Sequence, residues 1–291
     1  MTNSGALGRF SDENLALTAV LTGGEWSAAL PLANLQDDAS FVGRPARQLT
    51  PADPTKARIE ATLLRERTIN LVAVLFHTFS QAAEYRLTIA NAAEDLDAVA
   101  PAVDWTPVHG RMFPSVNLPW EEPNWWTGAA RPEDLLLFPQ HLWIVLKPGV
   151  LASKIRLELR DADRDYVDVG GLWIGSAWSP AFNFDHGREL GLDARSLSEE
   201  APSGRLFHED RAGRRRLTVT WSMLSGDEAT RLFDAGARCG TRRPVLMLPD
   251  VDDPVIMMRE AFPANFEKPP APRRGRPHQQ TVAATFKEII A

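Results

Sequence analysis

Apolar residues recur at every second position over several short stretches of the chain. Tyr85, Leu87 and Ile89 share one face, with Arg86 and Thr88 on the other. Ile155, Leu157 and Leu159 alternate with Arg156, Glu158 and Arg160, and Leu217, Val219 and Trp221 with Arg216, Thr218 and Thr220. Val282, Ala284 and Phe286 continue the pattern near the C-terminus. Successive strand side chains point to opposite faces, so this period predicts half-buried β-strands. Residues 71–76 are continuously apolar and read as a strand buried on both faces. The chain reads as mainly β.

One helix is well signalled, over residues 225–238. Ser225 followed three residues later by Glu228 forms a capping box, in which hydroxyl and carboxylate satisfy free amides of the first turn. Asp227 and Glu228 suit the positive end of the helix dipole. Ala229, Leu232 and Phe233 supply an apolar face, and Gly240 supplies a stop. Around this helix the pattern predicts strands at 214–222, 245–248 and 255–259, then a loop and a final strand.

Twenty-two prolines and 19 glycines punctuate these runs, as expected of a sandwich with many connections. At 291 residues, two domains are the natural expectation. Residues 187–204 are polar and aperiodic, and they set the boundaries. The expected architecture is a β-sandwich over 1–190, a linker over 191–208, and a small β domain with one helix over 209–291.

Composition narrows the function classes. Hydrophobic residues make up 44% and charged residues 24%, which is ordinary for a globular chain. A net charge of −6 argues against a general nucleic-acid binder. A single cysteine, Cys239, cannot form an intramolecular disulfide, which fits folding in a reducing cytoplasm. No secretory signal stands at the N-terminus, and no apolar run approaches the roughly 20 residues of a membrane-spanning helix, so no membrane insertion is expected.

The compositional anomaly is tryptophan: nine, against two tyrosines, with seven between Trp105 and Trp178. Residues 119–128 (Pro-Trp-Glu-Glu-Pro-Asn-Trp-Trp-Thr-Gly) read as a loop carrying Trp120, Trp125 and Trp126. Two readings stand. The indoles cap the sandwich core or a subunit interface, or they stack on a sugar while neighbouring carboxylates accept its hydroxyl hydrogen bonds.

Catalytic and metal signals are weak. Asp161, Asp163, Asp165 and Asp168 begin like a calcium loop. The positions that need Gly and Glu hold Tyr166 and Leu172, so the cluster reads as the turn of a hairpin between 155–159 and 166–169. The six histidines (His77, His109, His141, His186, His208 and His278) lack zinc-site spacing, and His77 reads as a satisfied core or edge residue. No nucleophile elbow and no Gly-rich phosphate loop is present. No catalytic residue, metal or cofactor is expected, and the chain reads as a non-enzyme. Two basic clusters remain, at 211–216 and at Arg273, Arg274 and Arg276. The second lies in a proline-rich stretch, 267–278, that cannot pair as an interior strand. It reads as an arm docking on an acidic neighbouring subunit.

Several of these segments, taken in order, resemble a group of bacteriophage tail proteins with a discoidin-like (coagulation-factor type C) jelly-roll domain. They are Trp26 before Leu32-Ala33-Asn34-Leu35, Arg44-Pro45-Ala46-Arg47, the buried strand ending at Phe76-His77-Thr78-Phe79-Ser80, and Tyr85-Arg86-Leu87. Gly170-Gly171-Leu172-Trp173-Ile174-Gly175 and Trp178-Ser179-Pro180-Ala181-Phe182-Asn183 follow. The stretch from Arg214 through the capped helix to Leu246 looks like modules around the tail tube and tip.

The resemblance implies a virion structural protein of the tail tip or baseplate, made in the bacterial host cytoplasm. Its partners would be other tail proteins and copies of itself. Sugar or lipid-headgroup contact through loops at one end of the sandwich would place a glycan site at Trp120, Trp125, Trp126 and Arg131. The alternative is a stand-alone carbohydrate-binding module or lectin. A third option is a glycan-cleaving enzyme.

Overall fold

The computed structural model describes residues 8–37, 43–114, 116, 118–276 and 279–290; His278 lies outside them. In chain order the strands are β1 (Arg9–Ser11), β2 (Val20–Thr22), β3 (Ala46–Gln48), β4 (Arg58–His77), β5 (Glu84–Ala90), β6 (Val103–Pro107), β7 (His141–Arg160) and β8 (Val167–Gly175). There follow β9 (Glu189–Asp193), β10 (Leu197–Glu200), β11 (Leu206–Glu209), β12 (Arg214–Leu224), β13 (Val245–Leu248), β14 (Phe262–Phe266), β15 (Arg273–Arg276) and β16 (Gln279–Glu288). Helices are α1 (Pro132–Leu136), α2 (Gly226–Cys239) and α3 (Pro254–Glu260). The protein is mainly β, as expected.

The chain forms two compact units. One comprises Glu13–Trp178 with Asp250–Arg259; the other comprises the described part of Met1–Asp12 with Ser179–Pro249 and Glu260–Ile290.

In the larger unit, β4 and β7 are 20 residues each and pair along nearly their whole length. A straight strand of that length would span about 65 Å, several times the radius of gyration of about 15 Å expected for a unit of this size. The ribbon therefore has to bend. Register breaks place the irregularities between Thr62 and Arg67 and between Ile69 and Leu71.

Beyond the breaks the partners change. Residues 58–62 of β4 lie between β2 and β7, and β7 continues to β5 and β6. Residues 71–77 lie between β7 and β8, and β8 continues to β3. Ile59 and Ala61 from the first section share one core with Val72 and Val74 from the second, together with Leu87, Leu157 and Leu172. The result is a β-sandwich whose two layers share a folded ribbon. Residues 71–75 are buried on both faces, as their continuous apolarity predicts. The outer face carries cross-strand ion pairs between directly opposed residues, Glu60–Arg156, Arg86–Glu158 and Glu84–Arg160.

The smaller unit has a main antiparallel sheet in the order β1–β13–β14–β16–β12–β9, with β15 added beside β16, and a separate two-stranded sheet, β10–β11. Helix α2 covers it, burying Ala229, Leu232, Ala235 and Cys239. Ser225 accepts from the Glu228 amide and the Glu228 carboxylate accepts from the Ser225 amide, so the expected capping box is formed. Phe233 departs from the expected apolar face and is 53% exposed, because the buried stripe follows 229, 232, 235 and 239. Phe10, Phe266 and Phe286 stack beneath, with ring centroids 5.3 to 6.1 Å apart.

Five expectations are corrected. Residues 255–259 are helical: Asp253 accepts hydrogen bonds from the amides of Val255 and Ile256, and Pro254 opens the helix, so the cap outweighs the β-branched pair that follows. The stretch between α3 and β15 holds β14, whose Pro263 obscures it as an interior strand. Residues 161–165 turn the chain, but β7 and β8 do not pair with each other, since β4 lies between them. Residues 191–208 contain the end of β9 and the β10–β11 hairpin, not an unstructured linker. Near the N-terminus, β1 pairs with β13 in the smaller unit's sheet, a long-range pairing that three residues cannot announce.

Candidate functional site

The tryptophan loop connects β6 to α1 in the sandwich unit, and its backbone is held at several points. Val108 donates its amide to Ala83 at 2.8 Å, and Met112 and Phe113 donate theirs to the Gly128 carbonyl at 2.8 and 2.9 Å. Gly128 itself donates to Asn124 at 2.7 Å. The Asn124 side chain is buried and donates to the Ala129 carbonyl at 2.7 Å, while Gln81 donates to Ala130 at 2.7 Å. Gly128 has φ +63°, and a Cβ there would stand 2.3 Å from the Phe113 carbonyl oxygen. Only glycine closes this loop without strain.

On that frame, Trp120 is 76% exposed and Trp126 82% exposed. Trp125 is half-buried and meets Trp126 edge-on, with ring centroids 4.5 Å apart. The reading in which these indoles cap the sandwich core is therefore corrected for Trp120 and Trp126. The loop supplies enough hydrogen bonds of its own to hold them out. Arg131 pairs with Asp134 at 3.3 Å and lies 3.8 Å from Glu122. Its guanidinium holds the Asp134 carboxyl below the usual carboxylate range. Glu121 is exposed. The loop thus offers two open indoles, exposed or half-exposed carboxylates and a guanidinium.

Trp105 belongs to a different arrangement. The guanidinium groups of Arg86 and Arg160 lie 4.9 and 4.7 Å from its ring, capping the outer charge ladder.

Behind the loop is a buried polar corner. Asp161 accepts from the Ser80 amide at 2.7 Å and the Ser80 hydroxyl at 2.6 Å. This fixes the turn that precedes Gln81 and β5, and it gives Asp161 a structural partner. Among the described residues no group of three or more His, Cys, Asp or Glu side chains could hold a metal.

His77 is buried beside His109, ring centroids 5.6 Å apart, and accepts from the Phe79 amide at 3.4 Å. Desolvation, with His109 as a second cause, holds its imidazole well below the ordinary value, so His77 is neutral. It is a core histidine, as expected, but it is only half satisfied: its Nε2 is buried without a hydrogen-bond partner among the described residues. His141 accepts from the Phe76 amide at 3.1 Å, and His208 lies exposed on β11.

The basic segment at 273–276 is a strand, not a free arm. Arg273 pairs across from Thr281 and Arg276 from Gln279. Arg273 and Arg274 are exposed. Sequence reasoning found the indoles but missed what positions them: buried Asn124, left-handed Gly128 and the Ser80–Asp161 corner. Asn-Trp-Trp-Thr-Gly carried that signal, since Asn and Gly four apart suit a tight loop.

Fold and loop together define a β-sandwich presenting aromatic side chains from an anchored surface loop. No protein-family model matches the sequence, and no curated protein does. The chain is similar to the solved Clostridium perfringens module CpGH89CBM32-4 in complex with GlcNAc-α-1,4-galactose, at 12% identity and a TM-score of 0.36, over 56% of this chain and 94% of that one. It is similar to a family 32 carbohydrate-binding module of C. perfringens in complex with galactose, at 9% identity and a TM-score of 0.35, over 57% and 98%. A chitosan-binding module from a Paenibacillus chitosanase/glucanase is similar at 16% identity and a TM-score of 0.31, over 56% and 99%.

Proposed function

We propose that the sandwich unit binds carbohydrate through the tryptophan loop. The observation that carries this reading is the pair of indoles, Trp120 and Trp126, held open to solvent by a loop whose backbone is fixed. Burying one large apolar side chain contributes roughly 1.5–3 kcal/mol, and these two leave that contribution unused in the free protein. A sugar ring presents one apolar C–H face to an indole and hydroxyls at its rim, which the carboxylates of Glu121 and Glu122 and the guanidinium of Arg131 would engage. An anchored loop also loses little entropy on binding.

The test is glycan-array binding of the full chain, followed by calorimetry on the best glycan. Binding that falls at least about tenfold in W120A and W126A, with unchanged thermal unfolding, supports the reading. No glycan binding, or binding that neither substitution weakens, would overturn it.

A second reading has its own observation. The β10–β11 hairpin is exposed along its whole length, which suits a subunit of an assembly. Joined to the sequence resemblance described above, it motivates a second proposal: a tail-tip or baseplate component of a phage particle, made in the bacterial host cytoplasm and contacting other tail proteins. Mass spectrometry of purified particles tests it, and absence of the chain from intact particles counts against it.

A further inference from the structure

The smaller unit carries an acidic projection and a basic groove. β9 and β12 pair from Glu189↔Thr218 to Asp193↔Arg214, and after a break at 194–196 the ribbon resumes as β10–β11, Leu197↔Glu209 to Glu200↔Leu206. The tip is tight: Ala201 donates to the Arg205 carbonyl and Gly204 to the Ala201 carbonyl, each at 2.8 Å, with Gly204 at φ +78°. Every residue of both strands is exposed, including Leu197, Leu206 and Phe207. An isolated two-stranded hairpin is marginal in water, and this one leaves Leu197 and Leu206 open to solvent, while the Arg205 guanidinium lies 5.5 Å from the Phe207 ring.

Its charge is lopsided. Residues 197–210 hold four carboxylates against one arginine. Glu209 is paired with Arg211 at 2.8 Å, whereas Glu199 and Glu200 have no ion-pair partner among the described residues.

The groove lies on the outer face of the same sheet. Its volume is about 610 Å³, with a floor of Thr220, Ala283 and Thr285 and a wall of Lys268, Pro269 and Arg273. The floor residues face outward because they alternate with the buried Val219, Trp221, Val282, Ala284 and Phe286 of β12 and β16. Glu267 is already taken up by Lys287 at 2.9 Å. Lys268, Arg273 and Arg274 are exposed and have no ion-pair partner among the described residues. The groove is therefore a concave site whose wall carries more positive than negative charge, Lys268 and Arg273 against a Glu267 that Lys287 already engages.

We propose that the β10–β11 hairpin of one copy seats in the Thr220–Arg273 groove of a second copy. The hairpin does not fill its own groove, because all of its strand residues are open to solvent. Glu200 and Leu206 stand opposite each other on one face of the hairpin. With that face inward, Glu200 would meet Lys268 and Arg273, with Arg274 at the rim, and Leu206 would leave water against the floor and Pro269. An arginine fork donates two parallel hydrogen bonds to a carboxylate, and such contacts set partner choice and association rate. Hairpin and groove are different surfaces, so the contact closes as a twofold dimer if the exchange is reciprocal and otherwise runs head to tail into a ring or filament.

The experiment is sedimentation velocity of the full chain over a concentration series at low and high salt, with charge reversals on each side. Wild-type protein should associate into a dimer or a larger assembly, and raised salt should weaken the association. The pair E199R/E200R and the pair K268E/R273E should each weaken association at least about tenfold while unfolding at the wild-type temperature. Mixed one to one, the two variants should associate again, because the basic hairpin of one meets the acidic groove of the other. Monomeric wild-type protein at high concentration, variants that associate like wild type, or a mixture that stays dissociated would each overturn the proposal. Both variants retain the tryptophan loop, so glycan binding stands as a separate readout.

Discussion

Glu288, near the end of β16, sits directly across the sheet from Arg215 on β12 and accepts from both its backbone amide, at 2.9 Å, and its guanidinium. Both side chains are 2% exposed, and the guanidinium also lies 4.8 Å from the Phe262 ring. A full ion pair is thus buried in the apolar face of the smaller unit, where Leu217 and Phe286 are its nearest register neighbours on the same face.

Breaking this pair leaves an uncompensated buried charge. E288A is expected to destabilise the smaller unit by about 3–5 kcal/mol in urea unfolding. Replacing both partners together, as R215M/E288L, should cost far less, because no charge is then left unpaired. A double variant as unstable as E288A would contradict this account.

His77 makes the sandwich sensitive to acid. Its folded-state value is depressed by burial, so the unfolded chain binds a proton near pH 6.5 while the native state does not. The stability that a neutral His77 contributes is complete above pH 6.5 and is lost as pH falls from there toward the depressed value. The slope from this group is about 1.4 kcal/mol per pH unit. Urea midpoints measured from pH 7.5 to pH 5 should show it; H77F should reduce the slope, and the part that remains belongs to His109, whose imidazole burial also lowers.

Gly128 governs the tryptophan loop. A side chain there meets the Phe113 carbonyl, and its φ is in the left-handed region. G128A should cost about 1–3 kcal/mol of local strain and disorder the loop. The expected readout is a red-shifted tryptophan emission, with the thermal midpoint of the smaller unit unchanged.

Cys239 should be inert. Burial pushes its thiol up to about 11, and Sγ sits 3.6 Å from the Asp12 carbonyl. At pH 8 only about one molecule in a thousand then carries the thiolate. Labelling with an aromatic disulfide should be slow in the native protein and fast in urea. Fast native labelling would show that the α2 packing is wrong.

Capping gives a smaller, cleaner test. S225A removes an acceptor for the Glu228 amide, and D253A removes the acceptor for Val255 and Ile256. Each should lower stability by about 1 kcal/mol in denaturant unfolding.

Local chemistry was legible along the chain wherever it acts between near neighbours. Alternation marked residues 85–89, 155–159, 214–222 and 282–286 as strands, because a half-buried strand needs that period and nothing else sets it. Ser225 and Glu228 announced α2 because a capping box closes within four residues. The open indoles were visible as candidates for the same reason: Pro, Asn and Gly around them dictate a loop.

Pairing between distant segments was decided only by the tertiary structure. Alternation says that a residue faces a core, not which strand lies beside it, so β7 and β8 looked like a hairpin when β4 separates them. The three residues of β1 carry no mark of β13, and Pro263 hides β14, because both strands owe their place to partners more than 20 residues away or to neighbours on either side. The burial of Arg215 and Glu288 and the exposure of Trp120 and Trp126 follow from the same cause. Whether a polar group is paired, or an apolar one covered, depends on what folding brings across from it.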